Sequence, residues 1–211
     1  MIVMASVLHI ETSPLKTRSH TVATANAFLE TYRAHHPLDA ISTLDLWSTT
    51  LPHFDALTIE AKFAVLRRQQ FSPEQFSKWE SVRAISRRFN AADKYIFSVP
   101  MWNFGLPYPL KHYIDVVTLA GENWTWNPQE GYRPLLANRK ALLIYSSAGD
   151  YPLTPTHPAD FVKPYLRHWL SFIGITELHE ISVAPTLTDA HSVQRTRELA
   201  REQAIALARQ F

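Results

Sequence analysis

Five apolar, β-like runs alternate with helical stretches along this chain, and this alternation constrains the fold more than any other feature. The predicted strands are residues 6–10, 40–44, 95–99, 141–145 and 179–183. The predicted helices lie near 21–34, 73–90, 107–119 and 159–173, with a last one at about 191–210. This spacing implies a parallel sheet covered by helices on both faces. With no repeat and no linker, residues 1–211 are predicted to form a single α/β domain.

Two stretches, residues 46–57 and 121–138, fit neither a strand nor a helix pattern. Loops of that length in a compact domain are usually functional or pack against a partner. We therefore expect both stretches to be long loops that are functional or that pack against a partner.

Composition excludes several classes of function. The chain has no cysteine, so disulfides, thiolate catalysis and cysteine-ligated metals are ruled out. The net charge is only +2 and the basic residues are scattered, which argues against a nucleic-acid or anionic-membrane surface. The ten histidines lack the spacing of a metal site, so no metal is expected. No apolar run approaches ~18 residues and the N-terminus lacks a basic signal region, so we expect a cytoplasmic protein.

The turn that follows the third predicted strand is rich in aromatic residues. The strand ends at Pro100, and the residues after it offer flat apolar surface at Trp102 and Phe104. Asn103 and the backbone N–H groups around Gly105 are predicted to offer polar contacts to the edge of a ring. Ligands of open α/β sheets bind at the carboxyl ends of strands. A planar, polar-edged ring such as a flavin suits this turn, although a buried packing turn has the same composition.

The first strand–helix connection, residues 12–21, carries hydroxyls just before a helix and contains no glycine. Neither the dinucleotide fingerprint nor the P-loop is present. A helix N-terminus with free N–H groups and nearby hydroxyls binds anions, and Lys16 and Arg18 are expected to add positive charge. Helix capping alone would also explain the serines and threonines. A third loop with small residues, 146–151, follows the fourth predicted strand at the same edge of the sheet.

Together these three loops resemble those of the FMN-dependent NADH-azoreductases, a flavodoxin-like group that also reduces quinones. The resemblance covers most of the chain and is most specific at residues 100–105 and the helix after them. Further similarity lies at 120–121, 162–165 and 170–175. It implies a flavodoxin-like, doubly wound α/β fold with a five-stranded parallel sheet in the order 2-1-3-4-5.

The resemblance also implies which residues bind FMN. The ribityl-phosphate loop corresponds to Ser13, Ser19, His20 and Thr21. The isoalloxazine cradle corresponds to Met101, Trp102, Asn103 and Phe104. The loop at the pyrimidine side of the ring corresponds to Ser146, Ser147, Ala148 and Gly149. Family members commonly have glycine at the position of Ala148, so the loop keeps its usual path only if φ there is negative.

The implied reaction is hydride transfer from NADH or NADPH through FMN to quinones and/or azo compounds, in a ping-pong cycle and in a homodimer. The predicted catalytic residues are Asn103 and Gly149, which position the ring, and Tyr151, a candidate proton donor. The predicted substrate-binding residues, some supplied by the partner subunit, are Trp124, Trp126 and Phe172. Two alternatives stay open, a flavodoxin-type electron carrier and a non-catalytic protein of the same fold that has lost flavin.

Overall fold

A computed structural model describes residues 4–211 of the chain. In chain order the elements are β1 (Ser6–Glu11), α1 (His20–His35), β2 (Ala40–Asp45), α2 (Ala56–Leu66), α3 (Pro73–Asn90), β3 (Lys94–Pro100), α4 (Tyr108–Val117), β4 (Trp124–Asn127), β5 (Gly131–Pro134), β6 (Lys140–Ser146), α5 (Lys163–Ile173), β7 (Glu177–Val183) and α6 (Ala190–Ala208). A single 3-10 turn, Lys16–Arg18, precedes α1.

Five of the strands form one parallel sheet in the order β2-β1-β3-β6-β7. Counted within this sheet alone, the order is 2-1-3-4-5, as the sequence predicts. The strand order reverses between β1 and β3: the chain passes from β1 to β2 on one side and from β3 to β6 on the other. We call the place between β1 and β3 the switch point. Ligand sites of open α/β sheets lie at the carboxyl ends of the strands beside such a point.

Apolar side chains alternate between the two faces of the sheet, and each face has its own core. On one face, Val7, Ile96 and Leu142 pack with residues of α1 and α6. On the other, Leu8 and Phe97 pack with residues of α3, α4 and α5. Because side chains of a strand point alternately to opposite faces, neighbouring residues of β1 and of β3 belong to different cores. The helices therefore cover both faces, as expected of a doubly wound sheet.

The structure corrects the sequence predictions in two helical regions. Helix α2 was not predicted, because its segment is apolar on nearly all sides and shows no 3.6-residue stripe. Its start is fixed by Asp55, whose carboxylate accepts a hydrogen bond from the Thr58 N–H at 3.0 Å. Helix α5 begins at Lys163 and not near residue 159. Asp160 accepts from the N–H groups of Val162 and Lys163 at 2.9 and 3.0 Å, which holds the preceding residues in a turn.

The expectation of a long loop over residues 121–138 was also wrong in part, because β4 and β5 pair there as an antiparallel hairpin. Its turn is closed by Asn127, whose side-chain oxygen accepts from the N–H groups of Gln129 and Glu130. Gly131 completes the turn with φ of 72°, a conformation that glycine adopts without steric cost. A four-residue alternating pattern is too short to stand out in the sequence.

Candidate functional site

Three of the loops singled out in the sequence meet in one cleft at the carboxyl edge of the sheet. The cleft has a volume of about 340 Å³. It is lined by Ser13, Pro14, Leu15, Ser19, His20, Pro100, Met101, Trp102, Ser146, Ser147, Ala148 and Thr186. The loops after β1, β3 and β6 therefore supply most of the wall. We call the part lined by Ser13, Ser19 and His20 the hydroxyl end, and the part lined by Trp102 the aromatic end.

The hydroxyl end lies against the first turn of α1. Ser19 is the N-cap residue, but its side chain does not cap the helix and instead lies 3.1 Å from the Thr21 hydroxyl. The first backbone bond of the helix runs from the Ala23 N–H to the Ser19 carbonyl. Within residues 4–211 no protein group accepts from the N–H groups of Thr21 and Val22. Such free N–H groups at the positive end of a helix are the usual donors to a bound anion.

The sequence analysis expected Lys16 and Arg18 to add positive charge at the hydroxyl end, and the structure differs from this at Lys16. Lys16 forms an ion pair with Asp45 at the end of β2, so its ammonium group is neutralised locally and does not serve as a free cation. Burial raises the pKa of Glu11, and repulsion from Asp45 raises it further. Burial lowers the pKa of His20, with a further contribution from the positive charge of Arg197. The structure therefore favours a neutral His20 beside the serine hydroxyls.

A buried polar network lies directly beneath the hydroxyl end. The His9 side chain is fully buried, and its Nε2 lies 2.8 Å from the Ser98 hydroxyl. The Thr12 hydroxyl donates to the Ser98 carbonyl at 2.6 Å. These contacts join β1 and the start of its loop to β3, below the cleft. Burial lowers the pKa of His9 to about 4, with a smaller contribution from Arg33.

The turn at the aromatic end is strained. Trp102 and Gly105 exchange two backbone hydrogen bonds, of 3.0 and 2.9 Å, across a two-residue turn. Asn103 and Phe104 at its centre have φ of 45° and 69°, in the left-handed region that residues with a side chain rarely adopt. The N–H groups around Gly105 were expected to offer polar contacts, and that of Gly105 itself is used inside the turn. Within residues 4–211 the N–H groups of Asn103 and Phe104 have no protein acceptor.

Trp47, which the sequence analysis did not single out, links the two ends of the cleft. Its indole N–H donates to the Thr12 carbonyl at 2.9 Å. Its ring lies 5.6 Å from that of Trp102 and 5.4 Å from that of Tyr108. Trp47 follows β2 by two residues, and the carboxyl end of β2 lies at the same edge of the sheet as those of β1 and β3. This position just after a strand could have indicated Trp47 from the sequence, but it lies in residues 46–57, which were interpreted as a loop.

Carbonyl groups of the third loop accept hydrogen bonds from other segments of the protein. The Ser146 carbonyl accepts from the Met101 N–H at 2.8 Å, and the Ser147 carbonyl accepts from both the N–H and the hydroxyl of Thr186, each at 2.9 Å. The φ of Ala148 is not positive, so this residue meets the condition under which the loop keeps the path usual in the family. Thr186 follows β7, and the sequence analysis missed it because only three of the strand ends were examined for polar loops.

Four of the predicted cofactor residues lie beside the cleft wall and do not line it: Thr21, Asn103, Phe104 and Gly149. Tyr151, the predicted proton donor, does not line the cleft either. Its ring packs edge-on against His157 at 5.1 Å, and a Cβ at Gly149 would lie 3.3 Å from it. In a single chain, Tyr151 therefore supports the third loop from behind.

The predicted substrate-binding residues form a separate aromatic patch. Trp124, Tyr132 and Phe172 pack together with ring centroids 5.4–5.7 Å apart. Trp126 is 54% exposed and lines, with Trp124, a groove beside the end of α2. None of these residues lines the cleft of the same chain. The structure thus does not bring them to the other predicted site residues within one subunit.

Comparison with known proteins places this geometry in a family. Residues 5–208 match the sequence profile of a family described as having a flavodoxin-like fold. The chain belongs to this flavodoxin-like family. No helix within residues 4–211 is both long and apolar enough to cross a membrane. In the same range no three histidine, aspartate or glutamate side chains are grouped as ligands of a metal ion.

Several relatives of this flavodoxin-like protein are similar along their whole length. An FMN-dependent NADH:quinone oxidoreductase of Desulfotalea psychrophila is 38% identical over 208 residues, which cover 99% of this chain and 98% of the relative. One from Pseudomonas fluorescens is 37% identical over 211 residues, covering 99% and 98%.

Solved structures show the same fold. An azoreductase from Bacillus anthracis superposes with a TM-score of 0.89 at 24% identity, covering 99% of this chain and all of that one. An FMN-dependent NADH-azoreductase from the same species, solved in complex with FMN, superposes with a TM-score of 0.82 at 25% identity, covering 97% and 100%. The flavodoxin-like architecture is thus established over residues 5–208.

Proposed function

We propose that this protein is an FMN-dependent oxidoreductase that transfers hydride from NADH or NADPH to quinones and/or azo compounds. The observation that carries the proposal is a single cleft of about 340 Å³ that joins hydroxyls at a helix N-terminus to an aromatic turn. This volume falls within the roughly 300–1,000 Å³ of typical small-molecule sites. The names of full-length relatives, which are FMN-dependent NADH:quinone oxidoreductases, support the same activity.

The hydroxyl end fits the phosphate of FMN. A phosphate dianion needs several donors and a favourable local field, and this end supplies both. Ser13 and Ser19 offer hydroxyls, and the free N–H groups of Thr21 and Val22 lie at the positive end of α1. No carboxylate lines this part of the cleft, so no acidic side chain there repels an anion.

The aromatic end fits a planar ring. Met101 and Trp102 line the cleft, and the Trp102 indole packs at a tilt against the ring of Trp47. We propose that the N–H groups of Asn103 and Phe104 donate to the polar edge of the isoalloxazine, because the left-handed turn leaves them without acceptors within residues 4–211. The backbone strain at these two residues is then part of the site, since strain that persists in a folded protein often marks a ligand contact.

Bound FMN supplies the redox chemistry, accepting hydride from the nicotinamide and donating it to the acceptor. The protein binds and orients the ring and tunes its charge. We propose that N–H groups of the third loop, at Ala148 and Gly149, face the pyrimidine side and stabilise negative charge that develops there. Carbonyls of this loop already accept hydrogen bonds from Met101 and Thr186. Asn103 and Gly149 act as positioning residues, and Tyr151 stays a predicted proton donor.

We also propose that the protein works as a homodimer. Trp124, Trp126 and Phe172 lie apart from the cleft of their own chain, so they can contribute to substrate binding only if a partner brings them to its cleft. Exposed aromatic residues beside the cleft, among them Tyr108 at 68% and Phe161 at 64%, offer apolar surface for such a contact. Sedimentation of the flavin-loaded protein tests this, and a monomer that retains full turnover would contradict it.

The function is tested by an absorbance spectrum of the purified protein after addition of FMN. We expect a bound-flavin band that bleaches when NADH is added and returns when a quinone follows. A protein that takes up no FMN would overturn the proposal. Flavin that is reduced only slowly by NADH, and reoxidised only by a protein partner, would instead indicate an electron carrier.

The site assignment is tested by the double variant Trp102→Ala, Asn103→Ala. Loss of the stacked indole and of the turn residue should weaken FMN binding by at least about tenfold, in line with roughly 1–2 kcal/mol for a lost aromatic contact. The variant Phe76→Ala serves as a control, because Phe76 is an exposed aromatic residue of α3 that does not line the cleft. Normal flavin content and full turnover in the double variant would contradict the assignment.

A further inference from the structure

A second, smaller groove runs between the first turn of α1 and α6. It has a volume of about 140 Å³ and is lined by His20, Ala23, Thr24, Gln194, Arg197, Glu198 and Arg201. We call it the α1–α6 groove. His20 lines both this groove and the cleft. The groove therefore adjoins the hydroxyl end at the residue where α1 begins.

Two arginines face this groove from α6. Arg197 and Arg201 are four residues apart, so they lie on the same face of the helix. Among residues 4–211 the structure gives neither of them an ion pair. Glu198 is the one acid of the lining, and its carboxylate accepts a hydrogen bond from the Gln194 amide at 2.7 Å. The groove thus carries a net positive charge.

The positive charge reaches the cleft. Arg197 contributes, after burial, to the lowered pKa of His20, and His20 lines the cleft next to Ser19. Neither arginine lines the cleft itself, so any effect on a ligand there acts through space. The electric field of the two arginines has the same sign as that of the positive end of α1, so the two fields add.

We propose that Arg197 and Arg201 attract the phosphate monoester dianion bound at the hydroxyl end and so make the cleft prefer FMN over riboflavin, its unphosphorylated counterpart. Both flavins offer the same ring to Trp102, and they differ at the hydroxyl end in charge. A pair of cations beside that end stabilises the dianion and leaves the neutral hydroxyl unaffected. This inference rests on the proposed function, because the phosphate in question is that of FMN.

The test is a titration of flavin-free protein with FMN and, separately, with riboflavin, followed by flavin fluorescence at low and high ionic strength. In the double variant Arg197→Gln, Arg201→Gln, we expect FMN to bind about five- to tenfold more weakly at low ionic strength, the scale of partly exposed charge interactions. Binding of riboflavin should be unchanged. The difference should shrink at high ionic strength, because salt screens charges that do not touch.

Two further variants on the same helix sharpen the test. Arg195→Gln removes an exposed arginine that does not line the groove, so it should alter FMN binding far less than the double variant does. Glu198→Gln removes the negative charge of the groove, and it should strengthen FMN binding by about twofold. A structural role of α6 would not produce changes of opposite sign. Thermal unfolding of each variant shows whether the fold is kept.

Equal weakening of FMN and riboflavin in the double variant would mean that the arginines support the structure, and it would overturn the inference. Unchanged FMN binding at low ionic strength would overturn it as well. If instead the proposed function is wrong, the unmodified protein binds neither flavin. That result would refute both proposals and is visible before any variant is made.

Discussion

The two ends of the cleft are built in opposite ways. At the hydroxyl end, Ser13 and Ser19 are nearly buried, and contacts of His9 and Thr12 with β3 support the loop that carries them. At the aromatic end, Trp102 is 36% exposed and Phe104 is 53% exposed. One end is held by the core of the sheet, whereas the other is held by a tight turn and by tilted and edge-on aromatic contacts.

The backbone shows the same contrast. Ser19 has φ of −75° and needs no unusual conformation to place its hydroxyl. Phe104 has φ of 69°, a conformation maintained by the backbone bonds of the turn and by the Phe161 N–H, which donates to the Phe104 carbonyl at 3.0 Å. A site can therefore combine a pre-formed anion end with a ring end whose shape is locally strained. Changes in the core should affect the first, and changes in the turn should affect the second.

The largest expected effect concerns the buried support of the hydroxyl end. Folded His9 stays neutral down to about pH 4, whereas an unfolded histidine takes up a proton below its ordinary value of 6.5. Between these values the unfolded chain binds more protons, so the free energy of unfolding falls as the pH falls. From pH 7 to pH 4 the His9 contribution is a loss of about 3 kcal/mol. Denaturant unfolding at a series of pH values measures it.

The variant His9→Gln isolates that contribution, since every other titrating group is kept. Its free energy of unfolding should fall with acid less steeply than that of the unmodified protein. His35→Gln, at an exposed helix end, controls for the loss of a histidine as such. Identical acid dependence in the unmodified protein and His9→Gln would show that the buried histidine does not support the hydroxyl end in this way.

A smaller effect is expected from a charge placed at the hydroxyl end itself. Aspartate and asparagine are both good N-cap residues of nearly equal shape, so Ser19→Asp and Ser19→Asn should affect α1 alike. Only the aspartate repels a phosphate. At a few ångströms in a partly buried site this repulsion should weaken FMN binding by about 100-fold relative to Ser19→Asn. Riboflavin should bind both variants alike, and an equal loss of FMN in both would place the phosphate elsewhere.

The same contrast explains what the sequence could and could not predict. The strands of the parallel sheet follow from apolar runs, which are local patterns, whereas their order follows from the resemblance to the flavodoxin-like azoreductases. Helix α2 and the β4–β5 hairpin were missed because an all-round apolar helix and a four-residue alternation carry little periodic signal. In the site, Trp47 and Thr186 were missed because the arrangement of strands, and no motif of their own, brings Thr186 to the cleft and Trp47 against Trp102.

The aromatic turn shows what the sequence could not predict even where it identified the right segment. The sequence indicated a turn at residues 102–105 and polar contacts from the N–H groups around Gly105, but it did not show which of these N–H groups are free. In the structure the Gly105 N–H donates to the Trp102 carbonyl. The N–H groups of Asn103 and Phe104 have no protein acceptor within residues 4–211. Turn composition does not fix which residues take positive φ. Glycine is the usual choice for such a position, and here Phe104 takes it.

The smallest expected effect compares the backbone of the two ends directly. At Phe104, Phe104→Gly and Phe104→Ala both delete the ring, so their difference in stability combines relief of the left-handed conformation with the greater freedom that glycine loses on folding. Glycine should be the more stable by about 1 kcal/mol. At Leu15, an exposed residue of the hydroxyl end with φ of −75°, glycine should instead be the less stable by up to about 1 kcal/mol, because it loses more freedom on folding. Denaturant midpoints of the four variants measure both differences. The same sign at both positions would contradict the contrast between a strained and an ordinary end of the cleft.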